Sequence, residues 1–291
     1  MIYQEPILQT KLFGLRVYLN EFVRLYDNDK LPNKILLTGQ KGLGKATLAF
    51  HFINHILSKN EKYNYDLDNL EINPQNSSYV TLINKSNPNI ILIDINDDKK
   101  NIDISQIRKL ISNLHKYSFN DKPRFVLIDN IDSLSTNSIN ALLKVLEEPA
   151  KNVFFFLINH NKKVLSTLLS RCINFKIFLS NNESFDVAGN LLNKNLDDVL
   201  NKDLINYYLS PGNIYKLVKF SETNNYNLKN MSLKEFLRII INDKHYKKEI
   251  FIKYFIYDFI EFYLSKIRFS LSSKIYDRYN SFLKRVSDIR R

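Results

Sequence analysis

Three of the six glycines in this chain, Gly39, Gly42 and Gly44, stand within one short run, and Lys45 follows them directly. Glycine accepts the left-handed backbone that lets a loop wrap an anion. Amide N–H groups at a helix start then point at that anion, and an ammonium adds a point charge. The run TGQKGLGKAT therefore reads as a phosphate-binding loop. The plainer reading is a tight strand-to-helix turn with an exposed lysine. The residue after the lysine, where a hydroxyl would supply a ligand to Mg²⁺, is Ala46. Thr47 carries a hydroxyl one place later, about 100° round a helix, and is poorly placed to substitute.

A second segment with chemical content is FVLIDNIDSL, Phe125 to Leu134. Its apolar strand ends in Asp129, the position from which a carboxylate holds Mg²⁺ through water in phosphoryl-transfer proteins. Hydrolysing relatives of that arrangement place Glu next, to orient or deprotonate the attacking water. Here Asn130 follows, which is neutral and cannot act as a base. Asp132 compensates only if the turn brings it round. An apolar strand ending in Asp is common, so its weight comes from the glycine loop upstream. Asn159, which closes the apolar run VFFFLIN, joins Gly39, Gly42, Gly44, Lys45, Ala46, Thr47, Asp129 and Asn130 as a candidate nucleotide-binding residue.

These residues need a scaffold, and the pattern between residues 30 and 180 supplies one. Short apolar runs predict strands over Lys34–Thr38, Ile90–Ile95, Arg124–Asp129, Val153–Asn159 and Asn174–Phe178. Helical periodicity fills the gaps: Lys45–Ser58, a helix capped by Ser105 running to about Lys116, Thr136–Glu148 closed by Pro149, and a short Val164–Ser170. Near-continuous apolar strands spaced by helices argue a five-stranded parallel sheet covered on both faces. Residues 60–89, rich in Asn and Ser, read as an elaborated loop or a poorly ordered insertion. After Leu179 the strands stop. Residues 182–225 read as short helices broken at Pro211-Gly212, and from Ser232 onward as long amphipathic helices. Phe251, Ile252, Phe255, Ile256, Phe259, Phe262 and Tyr263 form a wide apolar stripe there.

Composition narrows the classes. Cys172 is the one cysteine, which excludes a disulfide framework and any cysteine-built zinc or iron–sulfur site. His51 and His55 have helical i,i+4 spacing, yet no Glu follows His51, so they read as a chance pair on one helix face rather than as metal ligands. No secretory signal is visible at the start of the sequence. The apolar stretch Ile250–Leu264 is interrupted by Lys253, Asp258 and Glu261, short of a membrane span, so a soluble, cytoplasmic protein is expected. Lys and Arg number 42 against 30 acids, a net charge of +12. That suggests an anionic partner, nucleic acid first. The same bias toward Lys, Asn, Ile and Tyr is also what neutral compositional drift would produce, and both readings stay open.

The segment NSINALLKVLEEPAKNVFFFLINHNKKVLSTLLSRCINFKI, residues 137–177, resembles the clamp-loader family of AAA+ proteins. GQKGLGKATLA is similar to the phosphate loop of bacterial delta-prime subunits of DNA polymerase III, and IDISQIRKL, Ile102–Leu110, to the helix that precedes the Asp-ended strand in that family. The likeness spans roughly residues 1–220. It implies an AAA+ α/β P-loop domain over 1–179, a small helical lid over 180–228 and a C-terminal all-α collar over 229–291. It also implies that Arg171, in the Ser170-Arg171-Cys172 triplet, projects across a subunit interface toward the γ-phosphate bound by a neighbour, where a guanidinium suits a transferring phosphoryl group. Taken alone, Arg171 also fits an internal salt bridge. Cys172 reads as a packed small residue.

Within the family, the motor subunits have a full phosphate loop, an acidic pair ending the third strand and a second sensing arginine in the lid. Here the lid reads LSPGNIYKL, and Gly212 stands where that arginine would be. Ala46, Asn130 and Gly212 together make the resemblance delta-prime-like and imply weak or absent ATPase activity, with ATP and Mg²⁺ bound weakly if at all. Residues 60–89 lack the cysteines with which many relatives hold zinc, so no zinc is expected. The implied partners are the gamma/tau and delta subunits, the sliding clamp and primed DNA through the complex, with no membrane. Two rival readings are an active gamma/tau-like ATPase rescued by Asp132 and Thr47, and a stand-alone P-loop DNA-binding protein.

Overall fold

Five apolar runs form one parallel sheet in the computed structural model, which describes residues 5–96, 99, 101–115, 120–148, 152–160, 164–205, 209–267 and 273–290. The strands are β1 (Lys34–Thr38), β2 (Ile90–Ile93), β3 (Arg124–Ile128), β4 (Val153–Asn159) and β5 (Ile173–Lys176), in spatial order β2-β3-β4-β1-β5. Register runs Thr38 opposite Asn159, Ile128 opposite Leu157 and Ile93 opposite Ile128. This brings the C-terminal ends of β1, β2, β3 and β4 to one edge, where ligands bind in open α/β sheets.

The helices of this part are α1 (Arg16–Asp27), α2 (Lys45–Ser58), α3 (Ser77–Ile83), α4 (Ile104–Leu114), α5 (Thr136–Glu147) and α6 (Ser166–Leu169). The central strands β1, β3 and β4 carry apolar residues at successive positions because both faces are covered, whereas the edge strand β5 is largely exposed. On one face Val126, Ile128, Phe155 and Leu157 pack with Ile107 and Leu110 of α4 and Leu142 and Leu146 of α5, and Cys172 lies in the same cluster. On the other, Phe125 and Phe156 meet Phe52 of α2, with ring centroids 6.2 and 5.6 Å away, and Phe22 of α1 sits 6.0 Å from Phe156. The chain separates into two compact units, one ending at Val187 and the other beginning at Ala188.

The second unit is helical. It takes the end of α7 (Asn181–Leu192), then α8 (Pro211–Thr223), α9 (Leu233–Asn242), α10 (His245–Lys248), α11 (Ile250–Ile267) and α12 (Ser273–Arg290). Ile252, Phe255, Ile256 and Phe259 of α11 are buried, at spacings of three and four that share a helix face. Phe236 of α9 packs edge-on against Phe259 at 5.2 Å. Among the described residues, no helix is long and apolar enough to cross a membrane.

Several local expectations need correction. Residues 60–89 are more than an elaborated loop and not a poorly ordered insertion: Tyr65, Leu70, Ile72, Tyr79 and Leu82 are buried, and α3 forms there. The buried Asn76 caps α3 through Tyr79 N–H and donates to the Tyr63 carbonyl at 2.8 Å. The segment is also stitched to the N-terminal stretch, with Leu12 N–H donating to Leu70 O and Ile72 N–H to Thr10 O. Asp103, not Ser105, caps α4, in a reciprocal box with Gln106. Pro211-Gly212 opens α8 rather than breaking a helix, since Pro suits the first turn and Ser210 accepts the Asn213 N–H. β2 and β3 end one or two residues early, β5 begins one residue early, and α6 is shorter than expected. Lys116 and Pro149, proposed as helix ends, lie outside the described residues.

Candidate nucleotide site

The glycine run joins β1 to α2. Gly39, Gly42 and Gly44 have φ of 155°, 88° and 83°, so the turn occupies backbone space that residues with a Cβ rarely enter. Gly44 caps α2 in the left-handed conformation and its carbonyl accepts the Leu48 N–H at 2.8 Å. At Gly39 a Cβ would meet the Ile177 carbonyl oxygen at 2.5 Å, so this position is also glycine by packing.

Lys45, 2% exposed, folds back over the loop, donating to the carbonyls of Gly39 and Gln40 at 2.8 Å each. Burial lowers its ammonium to about 8, against the pull of Asp129 and Asp132 and with repulsion from Lys41. Asp132 thus acts on the site through its charge, from a short 3₁₀ turn at Ile131–Ser133. Ala46 is buried and Thr47 half-buried, on the first turn of α2.

Asp129 lies just past β3, its N–H donating to Ile93 O at 2.9 Å. One oxygen, Oδ1, accepts two hydrogen bonds, from Asn130 N–H at 2.8 Å and from His160 Nε2 at 3.0 Å. Burial works to raise this carboxyl, but the His160 hydrogen bond and charge, the Asn130 N–H and Lys45 together hold it below the ordinary carboxylate range. His160 Nδ1 is buried with no hydrogen-bond partner among the described residues. Asn130 has φ of 54°, a conformation Asn tolerates better than most residues, and its Nδ2 donates to Asp94 Oδ1 at 2.7 Å. Burial, with the Asp129 charge adding to it, pushes Asp94 above the usual range despite hydrogen bonds from Ile95 N–H and Asn130. Asn159 is buried one residue before His160. A cleft of about 1170 Å³ opens beside this cluster, with Ala46, Phe50, Asp94, Gln106, Leu110 and Asp129 among its walls.

The loop and the carboxylates fit a nucleotide unequally. The glycine backbone and α2 N-terminus suit phosphate oxygens. The metal that normally accompanies them finds no hydroxyl at Ala46, and Asp129 is already engaged by two donors. Among the described residues, no group of three His, Cys, Asp or Glu could hold a metal ion. His160 and Asp94 were missed from sequence. IILID carries the same apolar-strand-then-Asp signal that identified Asp129, so Asp94 was detectable. His160 carried no such signal, because its partner is 31 residues away.

Arg171 lies apart, just after α6. Its Nη2 donates to Glu147 Oε1 at 2.6 Å and Nη1 to Thr167 O at 2.9 Å, with the side chain 32% exposed. The structure therefore contains the internal salt bridge that Arg171 alone would suggest. Burial pushes the neighbouring Cys172 thiol up to about 11, as befits a packed residue.

The sequence profile of the family described as "DNA polymerase III, delta subunit" matches residues 15–180, from the start of α1 to the end of the sheet region. The chain belongs to this family. The matched span holds the glycine loop, Asp129, His160 and Arg171. This clamp-loader family member is 30% identical over 209 residues to the gamma/tau subunit of DNA polymerase III from Mycoplasma genitalium, covering 70% of this chain and 32% of that protein. It is 28% identical over 187 residues to the delta′ subunit from Buchnera aphidicola subsp. Schizaphis graminum, covering 59% of this chain and 53% of that one. The chain thus spans a third to a half of the length of these relatives. A gamma-subunit-related protein of DNA polymerase III from Thermotoga maritima is similar with a TM-score of 0.42 and 16% identity, over 76% of this chain and 66% of that one.

Proposed function

We propose that the chain is a delta-prime-like, non-motor subunit of the DNA polymerase III clamp loader. In this reading it lends Arg171 to the ATP site of a neighbouring subunit while sliding clamps are loaded on primed DNA in the cytoplasm. The observation that carries the reading is the state of its own site. The hydroxyl position is Ala46, the base position is Asn130, and Asp129 is tied to His160. A chain so built turns over ATP negligibly by itself, while Gly39–Lys45 still holds a nucleotide phosphate with the aid of Asn159. Arg171 supports a trans-acting role because it is partly exposed and its ion pair is of a kind worth ~0–1 kcal/mol, so exchanging Glu147 for a phosphate costs little. Residues 1–179 form the P-loop domain, 180–228 the lid, where Gly212 replaces a sensing arginine, and 229–291 the collar that meets the other subunits.

The likeness to gamma/tau supports a second reading, an active motor in which Asp132 and Thr47 replace the missing groups. Reconstitution separates them. The chain is assembled with gamma/tau and delta subunits, clamp and primed DNA, and ATP turnover is followed with wild type and Arg171→Ala. The delta-prime reading expects no turnover by the isolated chain and reduced stimulated turnover with the variant. Sustained turnover by the isolated chain, at or above the ~10⁻² s⁻¹ of a P-loop hydrolase acting alone, sinks it in favour of the motor.

A further inference from the structure

We propose that His160 occupies the metal's place beside Asp129, so that this subunit holds nucleotide polyphosphate as a metal-free anion. The inference rests on the reading of Gly39–Lys45 as a phosphate loop and extends it to the ionic form of the ligand. The Asp129 Oδ1 atom has two donors, His160 Nε2 at 3.0 Å and Asn130 N–H at 2.8 Å. The carboxylate and imidazole are both mostly buried, at 21% and 12% exposure. A hydrated Mg²⁺ needs carboxylate lone pairs directed at its waters and near-octahedral room around it. Here both donors converge on Oδ1, so the oxygen that faces His160 has its lone pairs taken by N–H groups and offers none to such a water. On the far side the Asn130 amide bridges to Asp94 at 2.7 Å, so the second carboxylate of the edge is engaged as well. Ala46 adds no oxygen to compensate. What remains for a polyphosphate is the glycine backbone and Lys45, neither of which requires a metal.

The measurement is the affinity of the intact chain for ATP, by calorimetry, with excess Mg²⁺ and with EDTA, for wild type and for His160→Ala and His160→Gln. Circular dichroism confirms that each variant is folded. Wild type is expected to bind ATP equally in the two conditions. His160→Ala is expected to bind about tenfold more tightly with Mg²⁺ than with EDTA, because the freed Asp129 then receives the metal's waters. Wild-type binding that is already about tenfold tighter with Mg²⁺ overturns the role of His160 and leaves the phosphate loop standing, with no variant needed. A folded His160→Ala with no gain in metal dependence overturns it too. No ATP binding by wild type in either condition overturns the phosphate loop and this inference together. The delta-prime role is judged separately by reconstitution.

Discussion

The guanidinium of Arg171 lies 2.6 Å from the carboxylate of Glu147, joining the end of α5 to the turn after α6. The two side chains are 32% and 53% exposed, so solvent screens the pair heavily. Arg171→Ala is therefore expected to leave the melting temperature nearly unchanged, since surface pairs contribute ~0–1 kcal/mol. Glu147→Gln should behave alike in stability while leaving Arg171 freer to reach a phosphate. Thermal denaturation of both variants checks this. A fall of many degrees for Arg171→Ala would make it a structural brace rather than a rim residue.

His51 gives a pH dependence. It is fully buried in α2, with Nδ1 2.9 Å from the Tyr65 hydroxyl and Nε2 2.9 Å from the Gln9 carbonyl oxygen. Burial lowers its folded value to about 4, the Gln9 hydrogen bond opposing. The unfolded chain keeps the ordinary value near 6.5, so between roughly pH 6.5 and 4 it binds more protons than the folded chain. The contribution of His51 is complete above about pH 6.5 and fades as pH falls toward 4, by roughly 3 kcal/mol in all. Melting temperatures across that window should drop more steeply for wild type than for His51→Gln. Parallel slopes would refute the assignment.

Asn76 tests whether the segment before β2 is part of the fold. Its side chain caps α3, holds the Tyr63 carbonyl and meets Asn54, all out of solvent. Asn76→Ala strands that carbonyl and the Tyr79 N–H, at a cost of about 1–3 kcal/mol. A melting temperature roughly 2–12 °C lower is expected for a unit of this size. No change would return residues 60–89 to the status of a loose loop.

In the helical unit, Phe255 has its ring 4.5 Å from Phe259 and 4.8 Å from Phe251 and is 3% exposed. Phe255→Ala removes about 3–5 kcal/mol of packing. The helical signal of that unit should then melt at a lower temperature or lower denaturant concentration, as read by circular dichroism. An unaltered unfolding curve would show that α11 is not a core helix.

The centre of the sheet was readable because β1, β3 and β4 are buried on both faces and so show as unbroken apolar runs in a charged, Asn-rich chain, whereas the edge strand β5, INFK, is largely exposed and its apolar residues alternate with polar ones. The glycine loop was readable because glycine is otherwise scarce here. The segment over residues 60–89 was misread for the opposite reason. Its interior is organised by Asn76, Asn54, Ser78 and Glu61, polar residues whose pairing makes them core, and composition counts them as loop. Strand ends were overrun by one or two residues because Ile95, Ile177 and Phe178 continue the apolar pattern after the ladder stops, and because the Asp that follows β3 was counted with its strand. At the site, residue type located Lys45 and Asp129, whereas the His160 hydrogen bond depends on two strand ends becoming neighbours, which no local pattern encodes.

Gly39 has a bearing on how such a subunit changes over evolutionary time. A methyl group there would press on the Ile177 carbonyl, whose residue anchors its N–H on Thr38. Selection for a folded sheet therefore retains this glycine whether or not any nucleotide is handled. Positions 46 and 130 carry Ala and Asn, and no such backbone contact is what sets their side chains; at 130 the left-handed backbone and the hydrogen bond to Asp94 favour the amide. In lineages released from catalytic demand, Gly39 is expected to outlast the groups that face a ligand. A glycine signature in a distant descendant then records the mechanical needs of its sheet, and its catalytic history must be sought in the neighbouring side chains.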